Sequence, residues 1–336
     1  MNLKLDLSER ITPLNRKIIS DFQKNCKEVN FYAREEDYKK TQGLLAKYTS
    51  TKANNIVITD GSHHGLETIF FLFNTSDEVI IPVPAFSLFT KYEHYKKFKV
   101  KKIYYNEEFK IDIGKIIKAI GPKTKAIYIV NPHNPLGVMM DKKDLLKIIK
   151  AASKRGVIVI IDEAYYEFSN TTSKSLLKKY NNIIISRSFS KSFGIAGTKI
   201  GYILTSPKIA KQLEYIRGPF FGLSRMSLLV ANSCLDKVVD MKKYINSIQQ
   251  ERKKITEFFK ENDIKFFKSK ANFIVFKIDN AKKLTETLAK ENILIRYLGD
   301  YPDNNGILKN CIRMSIPPKE KMNYFLKKFK KAIKNQ

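Results

Sequence analysis

The run SFSKSFGIAGTKIGY, residues 188–202, sets Lys191 among small residues and repeats the charge at Lys199, eight positions on. A lysine amine in such a place suits covalent attachment to a carbonyl carbon, if neighbours supply an acid, an anion site and hydrogen-bond donors. Three other runs offer those groups. NPHNPLG (131–137) carries Asn134, DEAYYEF (162–168) carries Asp162 and Tyr165, and GSHHG (61–65) carries Ser62 and His63. Asn134 precedes Asp162 by 28 residues, and Asp162 precedes Lys191 by 29. Singly, each run is ordinary, because an Asn-Pro pair makes a turn, an acid after a strand caps a helix and a loop lysine is solvated. Together and in order they ask for a common explanation.

Each run follows a short apolar stretch that reads as a strand: IVITD before GSHHG, KAIYIV before NPHNPLG, VIVII before DEAYYEF, and NNIIIS before RSFSK. From about residue 55 such strands alternate with helical patterns, including SHHGLETIFFLF, FSLFTKYEHYKKF, DIGKIIKAI and KKDLLKIIKAASKRG. Continuous apolar strands separated by helices predict an α/β fold whose large central sheet is mostly parallel and covered by helices. Ligands of such sheets sit at the carboxyl ends of the strands, where all four runs fall. After a PFFGLSRMS loop, the helix YINSIQQERKKITEFFKEN, the strand NFIVFKI, the helix KKLTETLAKEN, the strand CIRMSIP and a closing amphipathic helix predict a smaller α/β lobe. The expected organisation is an N-terminal arm (1–30), a large domain (31–235) and a small C-terminal domain (236–336).

Composition narrows the class. The 336 residues are 43% hydrophobic, which suits a globular core, and no apolar run reaches the ~18–20 residues of a membrane span. The N-terminus lacks an apolar signal core and the three cysteines lack metal-ligand spacing, so a cytoplasmic protein without a membrane partner is expected. The net charge of +29 comes from 52 lysines and ten arginines scattered over every helix-like segment. That distribution reads as a solvated surface able to steer anionic substrates, and no nucleic-acid partner is expected. A non-catalytic nucleic-acid-binding protein is the remote alternative. His63 and His64 are adjacent, about 100° apart on a helix, and are not read as metal ligands.

Pyridoxal phosphate is the cofactor whose chemistry would use these groups together. It needs a lysine for a Schiff base, an acid to keep its ring nitrogen protonated, donors to its phenolate oxygen, a flat side chain on its ring face and an anion site for its phosphate. A helix N-terminus supplies such an anion site. The chain resembles the fold type I pyridoxal-phosphate-dependent aminotransferases, and within them the histidinol-phosphate aminotransferase and threonine-phosphate decarboxylase group. The resemblance covers nearly the whole chain and rests on NPHNPLG, DEAYYEF and SFSKSFGIAGTKIGY.

That resemblance implies a role for each residue. Lys191 would be the Schiff-base lysine and proton carrier, Asp162 the partner of the ring nitrogen, and Asn134 and Tyr165 the donors to the phenolate. Phe86 would stack on the ring, while Ser62, His63, Ser188, Ser190 and Lys199 would hold the phosphate. Tyr32 would reach the phosphate of a neighbouring subunit, which implies a homodimer. Arg313, in CIRMSIP, would grip an acidic group of the substrate, with Arg217, Arg225 and Arg296 as further candidates for a substrate phosphate. Three positions depart from the family pattern. Lys199 stands where arginine is usual, so a planar fork becomes a point charge. SIPPKE replaces the usual Gly-Thr after the substrate arginine, and LDLSERITPL departs from an Asn-rich start. The expected activity is amino transfer between a small amine or amino acid, phosphorylated or free, and a 2-oxo acid. Decarboxylation of phosphoserine or phosphothreonine is the alternative.

Overall fold

Chain order alone explains much of the architecture. The computed structural model describes residues 3–86, 88–94, 98–218 and 222–334, without the side chains of 89–91. Residues 219–221 of the expected PFFGLSRMS loop, and residues 87 and 95–97 of the expected helix FSLFTKYEHYKKF, lie outside that description. The N-terminal segment carries β1 (Leu3–Lys4), α1 (Arg16–Asn25) and α2 (Glu35–Thr49). Then come β2 (Ile56–Thr59), α3 (Gly61–Phe70), β3 (Glu78–Val83), α4 (Leu88–His94), β4 (Lys99–Tyr104), α5 (Ile113–Ala119) and β5 (Thr124–Val130). Next are α6 (Lys142–Ser153), β6 (Ile158–Asp162), α7 (Tyr166–Ser169), β7 (Ile183–Ser188), β8 (Gly201–Thr205), α8 (Pro207–Arg217) and α9 (Arg225–Leu235). The remainder is α10 (Val238–Glu261), β9 (Lys265–Phe267), β10 (Phe273–Lys277), α11 (Ala281–Lys290), β11 (Ile293–Leu294), β12 (Arg296–Tyr297), β13 (Cys311–Ser315) and α12 (Lys319–Lys334).

The seven-stranded sheet runs β2-β8-β7-β6-β5-β3-β4. All its pairings are parallel except those of β8, which is antiparallel to both β2 and β7. Buried isoleucines and valines on β2, β5, β6 and β7 face both ways, because helices cover both faces of the sheet. Each such residue stabilises the fold by roughly 1.5–3 kcal/mol. The second sheet, β12-β13-β10-β9, is fully antiparallel and lies entirely within residues 265–315.

The N-terminal segment does not hang free. β1 pairs in parallel with β11, and Ser315 N donates to Leu5 O at 2.8 Å, so the start of the chain is stitched to the C-terminal sheet. Arg225, expected in a loop, instead opens α9, with Ser224 capping the helix through Ser227 N. Among the described residues no helix is long and apolar enough to cross a membrane.

Candidate active site

Register brings the polar runs together at one edge of the large sheet. Val130 pairs with Asp162, Asp162 with Ser186, Ser188 with Gly201, and Gly201 with Thr59. Because β8 is antiparallel to its neighbours, its first residue lies at the carboxyl ends of β2 and β7. Gly201 is the tightest point of this arrangement. A Cβ there would meet Arg187 O, Gly61 C and Ser62 N at 2.7 Å each, so only glycine lets β8 lie against the first turn of α3. Gly61 opens that helix with φ +77°, a conformation side chains disfavour. Ser62 and His63 follow in the first turn, where N–H groups and helix dipole favour an anion. Ser188 Oγ accepts from Ser190 N at 3.1 Å across the facing turn. Lys199 is exposed at φ +50°, with its backbone beside Gly61.

Asp162 ends β6, almost fully buried. Tyr128 donates its hydroxyl to Asp162 Oδ2 at 2.9 Å and Ala164 N donates to Oδ1 at 3.1 Å. Both donors are neutral, and burial pushes this carboxyl up to about 6, with neighbouring Glu163 adding to the rise and Lys191 opposing it. A buried acid with neutral partners suits a ligand that brings its own cation, as a protonated ring nitrogen does.

Lys191 lies three residues past β7, and its Nζ donates to Leu7 O at 3.0 Å. Burial brings its amine down to about 8, helped by the nearby Arg313 and Lys199 and opposed by Glu9 and Asp162. Tyr165 is buried against Phe273, which raises its hydroxyl to about 12. Asn134 Oδ1 accepts from Arg313 Nη1 at 2.6 Å, an orientation that leaves the amide nitrogen as the donating end. Phe86 packs edge-on to His63 at 5.9 Å between centroids, and His63 Nε2 lies 3.3 Å from Glu67. Ser62, Ser190 and Phe86 are half-buried, and His63 is exposed.

On the substrate side, Arg313 is buried on β13 and also donates to Asp6 O at 2.7 Å. Its Nε has no hydrogen-bond partner among the described residues, and burial lowers its pKa. Arg296 is its Cα partner on β12 and is exposed. Arg217 stacks over Tyr38, 5.1 Å from the ring centroid. Arg225 is engaged elsewhere, with Asp37 at 3.1 Å and with Glu28, tying α2 to α9. Tyr32 is exposed on the segment before α2, so its own chain does not bury it in the site.

Two features had no part in the sequence reading. Tyr128 sits on the strand beside β6, two residues before Val130, the partner of Asp162. A tyrosine within the aliphatic stretch AIYIV was the available signal. Behind Asp162, Glu163 and Arg187 form a buried pair at 2.8 Å, with Thr172, Ser173 N and Tyr202 completing the network and Tyr166 stacked 3.8 Å from the guanidinium carbon. This pair fixes the ends of β6 and β7 against each other.

The residues present fit pyridoxal phosphate: a buried acid bonded only by neutral donors, a lysine amine brought down towards neutral pH, and a glycine-cleared helix N-terminus. Comparison with known proteins agrees. Residues 4–329 match the family model for aminotransferase class I and II. The histidinol-phosphate aminotransferase of Ruminiclostridium cellulolyticum is 31% identical over 338 residues, covering 96% of this chain and 90% of that one. A crystal structure of the histidinol-phosphate aminotransferase from Clostridium acetobutylicum superimposes with a TM-score of 0.90 at 24% identity, covering 99% of this chain and 100% of that one. The Sinorhizobium meliloti histidinol-phosphate aminotransferase, solved in complex with pyridoxal-5'-phosphate, gives 0.89 at 22% identity, covering 100% and 91%. The chain therefore belongs to the aminotransferase class I and II family and is a pyridoxal-phosphate-dependent aminotransferase of fold type I.

Proposed function

We propose that this aminotransferase moves an amino group between a phosphorylated, histidinol-phosphate-like amine and a 2-oxo acid, acting as a cytoplasmic homodimer. Pyridoxal phosphate, when bound, supplies a protonated ring that draws off the electron pair left on a substrate carbon. Lys191 is the residue that holds the cofactor covalently. Its Nζ would also be the base that takes the proton from the substrate carbon and the acid that gives it back. An amine near 8 serves both steps, because both of its protonation states are populated within about a pH unit of that value. Asp162 keeps the proton on the ring nitrogen. Asn134, oriented by Arg313, donates to the phenolate together with Tyr165. Ser62, His63, Ser188, Ser190 and Lys199 would hold the cofactor phosphate, and Phe86 would lie against the ring face.

What carries the choice of donor is the cross-strand register of two arginines, Arg296 on β12 and the buried Arg313 on β13. Two like charges beside each other suit a dianion better than a single carboxylate. The homodimer is supported by Val29, Phe31 and Tyr32, which turn apolar and aromatic surface outwards next to α2. Tyr32 would reach the partner's cofactor phosphate.

The test is a half-reaction screen. Borohydride reduction of the cofactor-loaded enzyme followed by peptide mapping should label Lys191. Histidinol phosphate should pass its amino group to 2-oxoglutarate without gas evolution. CO₂ release from phosphothreonine or phosphoserine, without need for a 2-oxo acid, would instead establish the decarboxylase. Sedimentation should give a dimer, and a monomer that turns over at full rate would remove the role of Tyr32.

A further inference from the structure

Strand β5 carries a single aromatic, Tyr128, and register decides where it points. Tyr128 pairs with Ile160 on β6, and Val130 pairs with Asp162. Side chains alternate along a strand, so Tyr128, Val130, Ile160 and Asp162 share one face of the large sheet. The Tyr128 ring is fully buried in the apolar cluster that also holds Val130 and Ile160, and close packing fixes its direction. Its hydroxyl ends 2.9 Å from Asp162 Oδ2, while Ala164 N meets Oδ1 at 3.1 Å. Each carboxylate oxygen thus has a donor of its own, and two tethers stop the group from turning about its Cβ–Cγ bond.

The chemistry of the donor matters as much as its place. A buried carboxylate without donors takes up a proton and gives up its charge, and hydrogen bonds to the ionised form oppose that. A lysine or arginine in the place of Tyr128 would neutralise the carboxylate and compete for it with a protonated ring nitrogen. A phenol donates and adds no charge. The other titratable groups that act on Asp162 are Glu163, Lys191 and Tyr165, and Tyr165 and Tyr301 act on Tyr128.

We propose that Tyr128 is a positioning residue for amino transfer: donating to Oδ2 opposite Ala164 N on Oδ1, it fixes the plane of the Asp162 carboxylate and keeps it ionised for the cofactor's ring nitrogen. This inference rests on the role given to Asp162 above. Tyr128 acts through Asp162 and not on the substrate. A carboxylate deprived of this donor is more basic and free to turn, so more of the shared proton rests on its oxygen and less on the ring nitrogen.

The experiment uses the full-length protein with Tyr128→Phe, Asp162→Asn and the two combined. In the cofactor-free protein, the carboxyl carbon NMR signal of Asp162 is followed with pH, and its loss in Asp162→Asn identifies it. Tyr128→Phe should weaken Asp162 as an acid by about tenfold, equivalent to ~1.4 kcal/mol, so that its midpoint rises. A ring-fluorinated tyrosine at position 128 is a stronger donor and should move the midpoint down, and it tests the same bond if Tyr128→Phe does not fold. The loaded enzyme is then assayed at saturating cofactor with 2-oxoglutarate and the donor found by the half-reaction screen. Tyr128→Phe should lower kcat by about threefold to tenfold with both KM values within about twofold. The combined variant should match Asp162→Asn within about twofold, because the hydroxyl then has no carboxylate to serve. An unmoved midpoint or an unchanged kcat in Tyr128→Phe overturns the assignment, as does a fluorinated tyrosine that leaves the midpoint in place. A combined variant slower than Asp162→Asn by the full Tyr128→Phe factor also overturns it, since a hydroxyl that only packs would give that result. Asp162→Asn that turns over at the wild-type rate defeats the role of Asp162 itself, and this inference with it.

Discussion

Replacing Asp162 by asparagine should stabilise the cofactor-free protein while weakening its hold on the cofactor. Burial lifts the Asp162 carboxyl from 3.8 to about 6 in the folded chain. An acid whose folded value lies above its unfolded value binds its proton more tightly when folded. Stability is then lost as pH rises from about 4 to about 6 and stays low above that window. A window about two pH units wide, at ~1.36 kcal/mol for each pH unit, puts the loss at about 3 kcal/mol by pH 8, against less than about 1 kcal/mol at pH 4. Asparagine carries no charge to bury. It keeps an oxygen for the Tyr128 hydroxyl but turns an amide towards Ala164 N, at a cost of about 1 kcal/mol. Net, Asp162→Asn should be about 2 kcal/mol more stable than wild type at pH 8 and no more stable at pH 4. Urea denaturation of both cofactor-free proteins at pH 4, 6 and 8 measures the gap. A gap that is flat with pH, or that closes as pH rises, would refute the reasoning. Loading the cofactor should invert the order, because only the charged carboxylate would form an ion pair with a protonated ring nitrogen.

Three further outcomes follow from the same geometry. Gly201→Ala puts a methyl group 2.7 Å from three backbone atoms that cannot swing aside, so unfolding should cost about 1–3 kcal/mol less and cofactor affinity should fall; an unchanged Tm would count against the packing at α3. Glu163→Gln leaves the Arg187 charge buried without its partner and should destabilise by about 3–5 kcal/mol. Adding Arg187→Met should recover part of that loss in a double-mutant cycle, and a purely additive cycle would argue against a pair. Because burial lowers Lys191 to about 8, its neutral, reactive form grows as pH rises through that value. Cofactor uptake by the apoenzyme should therefore rise with a midpoint near 8, and a midpoint near the ordinary lysine value would show an amine that is not desolvated.

The residues at strand ends were legible because two physical rules act together. Continuous apolar strands must be covered on both faces, and in-register parallel strands bring their carboxyl ends level. Asp162, Lys191, Asn134 and the start of α3 could thus be assigned to one edge from their order alone. What register does not give is partnership across the sheet. Tyr128 reads as one more apolar strand residue until β5 and β6 are aligned, and only then does its hydroxyl meet Asp162. The reversal of β8 was equally hidden, since an apolar run has no direction. Arg225 shows the opposite failure: an arginine near the expected cleft is already engaged by Asp37 and Glu28, carboxylates far from it in sequence. Long-range pairs such as Lys102 with Asp303 have no local signature at all.

The N-terminal segment gives the site its remaining logic. Leu7 O accepts from Lys191, and Asp6 O accepts from Arg313, so two consecutive carbonyls meet the two cationic groups to which the proposal gives the substrate chemistry. The segment is held on both sides, by Leu5 against Ser315 and by Arg10, which lies 2.8 Å from Asp240. Neither cation is therefore desolvated without compensation, which would cost several kcal/mol. The compensation is neutral oxygen in each case, Leu7 O for Lys191 and Asp6 O with Asn134 Oδ1 for Arg313. A hydrogen bond to an ionised acceptor is roughly twice as strong as one to a neutral acceptor. On the proposed assignment, a substrate phosphate would displace Asp6 O from Arg313 at a net gain, whereas an uncharged group of similar size would not. Selectivity for an anionic donor would then come from the difference between two acceptors competing for one guanidinium, even where both make good contacts.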